Sequence, residues 1–210
     1  MSMADNQQPR LRVWDLPTRV FHILLILAVG GAVGTALADV MDWHVRFGLA
    51  SGALLLFRLV WGLIGGQWSR FGSFLRGARG VGHTRSGALA IIAMLLVLLA
   101  QVGTGLFADD EVATTGPLAR FVSDAVTTAA TGWHKGFGQW LIYGLVALHV
   151  IAVLVYTLRG HALVAAMWHG DKRVPAGATW SASRDDWGLR LLALIVFACC
   201  AAGAVWLARL

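Results

Sequence analysis

Seven histidines punctuate a 210-residue chain in which 58% of residues are hydrophobic and only 13% are charged. Four of them, His22, His44, His134 and His149, fall within or at the edge of long apolar runs, where an imidazole is costly unless a partner satisfies it. His134 and His149 share the run "GWHKGFGQWLIYGLVALHVIAVLVY", fifteen residues apart. At about 1.5 Å and 100° per residue, the second ring lies about 22 Å deeper than the first and within about 60° of the same helix face. One face therefore presents two imidazoles at two depths.

If successive apolar runs cross a bilayer in alternating directions, His22 lies near the inner end of the first and His44 opens the second at the outer end. His134 is then outer and His149 inner, which gives the pairs His44 with His134 and His22 with His149. Two opposed imidazoles at one depth in a helical bundle are what bis-histidine ligation of a haem iron requires, and two pairs imply two haems. No C-x-x-C-H is present, and the only cysteines, Cys199 and Cys200, are adjacent within an apolar run, so such haems are held without thioether bonds. A single zinc or copper ion has no access to all four rings. The competing structural reading is that each ring merely hydrogen-bonds a neighbouring helix.

The elements that must position these rings are apolar runs at roughly 20–38, 45–65, 86–108, 136–158 and 190–208, each long enough for about 30 Å of hydrocarbon. All four prolines lie outside them and no β-barrel alternation occurs, so the expected fold is an all-α integral membrane protein with five spans. A net charge of +6 suggests nucleic acid in a soluble protein; here its distribution explains it. Of 17 Lys and Arg residues, only Arg46, Arg120, Lys135 and Arg209 fall on the side opposite the N-terminus, so the positive-inside rule predicts a cytoplasmic N-terminus and an external C-terminus. The first run is longer than a signal-peptide core and is read as a retained helix.

Gly48, Gly52 and Gly138, each four or eight residues after an outer histidine, are expected to give a flat ring room near the backbone. Arg19 and Arg58 are candidates to pair with the carboxylates of an inner haem, against the plainer reading that they snorkel to headgroups. His83 and Arg85 open the third span at the inner face, while His161 and His169 lie in the inner loop and receive no role. Most tryptophans, including Trp43 and Trp133 beside the outer histidines, fit an interfacial belt. The outer segment 109–131 is expected to carry a short amphipathic helix.

The stretches "RVWDLPTRVFHILL", "WHVRFGLASGALLLFRLVWGLIG", "GALAIIAMLLVLLAQVGTGLFADDE", "GPLARFVSDA" and "HKGFGQWLIYGLVALHVIAVLVY" together resemble the bacterial cytochrome b561 family, which includes b-type cytochrome subunits of nickel-iron hydrogenases. The resemblance covers about residues 11 to 170. It implies a four-helix bundle with two non-covalent b-type haems on His22, His44, His134 and His149. It further implies electron transfer between membrane quinone and a periplasmic redox partner such as a c-type cytochrome, or, as in some members, oxidation of superoxide. Two departures stand out: the His134–His149 spacing is one residue longer than in many relatives, and a fifth helix, "WGLRLLALIVFACCAAGAVWLARL", follows the matching core. The expected organisation is a dihaem unit over 1–170 and an inner loop plus additional helix over 171–210, the latter a candidate contact for lipid or another membrane subunit. A rival reading is a haem-free membrane anchor or an ion- or proton-transporting subunit.

Overall fold

A computed structural model describes residues 9–75, 85–110, 114–174 and 180–210. Of the described residues, 75% are helical. A short strand β1 (Arg10–Arg12) leads into helix α1 (Leu16–Leu37), then α2 (Met41–Ile64), the single-turn α3 (Phe71–Leu75) and α4 (Arg85–Phe107). A 3-10 turn (Ala119–Phe121) precedes α5 (Asp124–Gly132), a π turn (Trp133–Phe137) and α6 (Gly138–Leu158). Helix α7 (Leu163–His169), strand β2 (Asp171–Arg173) and α8 (Trp187–Leu207) complete the order.

Among the described residues, five helical segments are long and apolar enough to cross a membrane: α1, α2, α4, the continuous α5–α6 unit and α8. Each coincides with an apolar run in the sequence. Their ends are set by local chemistry. Helix α1 begins at Leu16 rather than near residue 20 because the Asp15 carboxylate caps it, accepting from Thr18 N–H, with Pro17 in the first turn. Asp186 caps α8 in the same way through Leu189 N–H. The helix expected within 109–131 is α5, which starts at Asp124 and runs on into the fourth span.

Because lipid tails are as apolar as leucine, these helices are held by van der Waals fit rather than by expulsion of water. One seam joins α1, α2 and α8 through Phe21, Ala28, Leu54, Phe57, Trp61 and Ala193, with Phe197 edge-on to Phe57. A second joins α2, α4 and α6 through Leu55, Leu95, Leu98 and Ile142. The additional helix α8 is thus packed on the outside of α1 and α2, and Cys200 contributes to that seam while Cys199 is exposed. On α6, Leu148, Ile151 and Leu154 are exposed, as suits a lipid-facing surface.

The end of the bundle that carries the N-terminal strand is closed by polar chemistry. The Asp15 carboxylate is fully buried and accepts from Trp61 Nε1 (3.2 Å), Gly66 N–H (2.9 Å) and Ser69 Oγ (2.9 Å) besides its capping bond. A side chain at Gly66 would strike the Asp15 carboxylate and Ser183 Oγ, so the loop after α2 needs glycine to approach this closely. Around this node, β1 pairs antiparallel with β2, Arg12 bridges Asp171 (2.6 Å) and Asp185 (2.8 Å), and Asp185 also binds Arg190 (3.0 Å) and Leu16 N–H (3.2 Å). Burial disfavours the Asp185 carboxylate, but the hydrogen bonds from Arg190, Leu16 and Arg12 outweigh it and hold this group below the usual carboxylate range.

Candidate functional site

The four apolar-run histidines come together as two pairs. His22 of α1 faces His149 of α6 with ring centroids 6.3 Å apart, and His44 of α2 faces His134 of the π turn at 5.9 Å. The planes are crossed in both pairs, by 60° and 75° respectively. Two metal–imidazole bonds of about 2 Å, with about 1 Å more from each nitrogen to its ring centre, set opposed rings about 6 Å apart. Both separations therefore suit one metal ion between two axial imidazoles. Among the described residues, no three or more His, Cys, Asp or Glu side chains converge as an all-protein ion site. Each couple would hold the iron of a haem through its two imidazoles.

The outer rings are held through one nitrogen each. His44 Nδ1 lies 2.8 Å from the Ala32 carbonyl on α1, and His134 Nδ1 lies 2.8 Å from the Gln101 carbonyl on α4. A carbonyl only accepts, so both Nδ1 atoms carry the proton and both Nε2 atoms present lone pairs, the tautomer a metal requires.

Helix α6 does not reach His134 as a regular α-helix. Gly138 N–H bonds the Trp133 carbonyl five residues back, and Gly136 departs from helical geometry at φ −104° and ψ −112°. A π turn absorbs one extra residue. The fifteen-residue spacing consequently behaves as about fourteen α-helical steps, so the straight-helix angle expected from the sequence is replaced by one about 100° different.

Profile comparison of the sequence matches the description "prokaryotic cytochrome b561" over residues 13–170. The chain belongs to the prokaryotic cytochrome b561 family. Membership makes it a multi-pass membrane b-type cytochrome engaged in electron transfer, and it implies haem b binding. No curated protein and no solved structure matches the chain. The match spans α1 to α7 and stops before α8.

The residues of this cytochrome fit such a group in a further respect. A Cβ built on Gly48, one turn after His44, meets nothing within 4 Å, which leaves the α2 backbone approachable by a flat ring. Gly52 and Gly138 behave differently from the sequence expectation: their Cα atoms face α4, against Val102 and Gln101 respectively, and serve helix packing.

Arg58 is buried and turns to the Asp15 node, donating from Nη1 to the Ser69 carbonyl (2.9 Å) with its guanidinium over Phe71 (4.9 Å). Arg19 donates from Nη1 to the Trp168 carbonyl at the end of α7 (2.5 Å), while its buried Nε has no hydrogen-bond partner among the described residues. His161 packs edge-on to Tyr156 and, with His169 and Trp168, borders a groove of about 600 Å³ on the α6–α7 corner. His83 lies outside the described residues, and Arg85 opens α4.

Sequence reasoning passed over two residues that matter to this geometry. Gln101 is a lone amide in the apolar third span, a signal of the same kind as the histidines. Asp15 precedes Leu-Pro at a helix start, which reads as a cap and gives no hint of its additional partners.

Proposed function

We propose that this cytochrome carries two haem b groups, an inner one on His22 and His149 and an outer one on His44 and His134. Electrons then pass across the bilayer between the quinone pool and a periplasmic redox partner such as a c-type cytochrome. The observation that carries the reading is the pair of opposed imidazole couples, 6.3 and 5.9 Å between centroids, on helices whose charge pattern orients them oppositely in depth.

Bound haem supplies a one-electron iron couple. The chain's part is to fix axial rings, exclude water and set local charge. His44 and His134 keep Nε2 free by donating Nδ1–H to backbone carbonyls. Arg19 and Arg58 contribute positive charge at the inner end, where the carboxylates of an inner haem would reside. The inner end is cytoplasmic and the C-terminus periplasmic by the distribution of Lys and Arg. Residues 1–170 form the dihaem unit, and 171–210 brace it from outside α1 and α2.

Haem extraction and reduced-minus-oxidised spectra of the purified chain test this directly. Two haems per chain with a low-spin b-type spectrum are expected; one haem or none overturns the dihaem reading.

A further inference from the structure

Helix α4 contributes no histidine to either pair, yet it grips the outer one at three points. The Gln101 carbonyl accepts from His134 Nδ1 (2.8 Å), and the Gln101 side chain donates from Nε2 to the His134 carbonyl (2.9 Å). One turn further, a Cβ on Gly105 would stand 2.7 Å from His134 Cε1 and 3.1 Å from its Nδ1, so the imidazole lies where only glycine leaves room for it.

The reciprocal bond has a backbone cause. Gly138 N–H, the normal α-helical donor to the His134 carbonyl, is committed to Trp133 in the π turn. Gln101 Nε2 reaches the His134 carbonyl that Gly138 N–H would cap in a regular α-helix. Among the described residues Gln101 Oε1 and Trp133 Nε1 are buried without hydrogen-bond partners, and both crowd the side of Gly138 where a Cβ would stand, so the amide is confined on its far side as well.

We infer that Gln101, seated with Gly105, is the positioning residue of the outer axial ligand, fixing the His134 ring plane and the strength of its Nδ1 bond and thereby the redox equilibrium of the outer haem. The inference rests on the reading of His134 as a ligand. A hydrogen bond from Nδ1–H makes an axial imidazole more basic and favours the oxidised iron. Loosening the clamp would raise the outer potential while the inner haem, on the other histidine pair, would keep its own.

The test is a spectroelectrochemical titration of the holo-cytochrome, with ferric low-spin EPR, for wild type, Gln101→Met, Gly105→Ala and His134→Ala. His134→Ala should lose one haem and keep the other; retention of both overturns the ligand reading itself. With that control satisfied, Gln101→Met should retain two haems and shift one of them at least tenfold toward the reduced form, about 59 mV for one electron, with an altered EPR signal for that haem only. Gly105→Ala should change the same signal or lose the same haem. An outer haem that titrates as wild type in Gln101→Met overturns the inference, as does equal disturbance of both haems in both α4 variants.

Discussion

The two histidine pairs are built differently. In the outer pair, each ring sits where its helix is least able to hold it: His44 is in the first turn of α2 and His134 is inside a π turn. Each is tied by Nδ1 to the backbone of a neighbouring helix. In the inner pair, His22 and His149 lie well inside α1 and α6, and among the described residues no hydrogen bond reaches either ring. The inner end instead concentrates its polar bonds on the helix ends, around Asp15 and Asp185. A ring in a regular helix is aimed by the backbone; a ring at a frayed or kinked position needs its own tether.

This contrast is broken most severely by Asp15→Ala. The substitution removes the buried acceptor of the Thr18 and Gly66 N–H groups and of Trp61 Nε1, and each buried donor left unsatisfied costs about 1–3 kcal/mol. In thermal melts followed by haem absorbance, the inner haem should be lost at markedly lower temperature while the outer haem persists longer. Simultaneous loss of both would show that the two ends do not act separately.

Asp185→Asn should be milder, about 1–2 kcal/mol after allowance for water around Arg12 and Arg190. Its pH signature has a definite sign. The folded carboxyl titrates below the ordinary value of about 4, so its stabilisation is fully present above that value and disappears as pH falls through the lowered folded value. Wild type should therefore lose more thermal stability than Asp185→Asn between pH 6 and pH 3; parallel profiles would remove Asp185 from the account.

Thr18→Val is the smallest change, breaking only the buried Oγ1–Ser69 Oγ bond (2.7 Å) behind the Asp15 cap, for about 1 kcal/mol. The inner haem's melting should shift slightly with the outer unaffected. A larger effect on the outer haem would contradict the division between the ends.

Much of this organisation is legible in the sequence because membrane depth is a one-dimensional quantity. Apolar run length gives the spans, and the position of His22, His44, His134 and His149 within each run gives the pairing by depth. What the sequence hides is departure from regular helix. Nothing in "GWHKGFGQ" announces that Gly138 will bond Trp133, and without that turn neither the true ring angle nor the need for Gln101 can be deduced. The roles of glycines are hidden for a related reason: Gly48 faces open space while Gly52 and Gly138 face α4, a difference of helix rotation that composition does not encode. Likewise Asp15 is visible as a cap, but its bonds to Gly66 and Ser69 join positions more than fifty residues apart.

The most direct measurement is the haem content of four single variants, His22→Ala, His44→Ala, His134→Ala and His149→Ala, each titrated spectroscopically beside wild type. The geometry predicts that His22→Ala and His149→Ala abolish one and the same haem signal, and that His44→Ala and His134→Ala abolish the other. If His22→Ala and His44→Ala erase the same signal, the division into an inner and an outer pair is wrong.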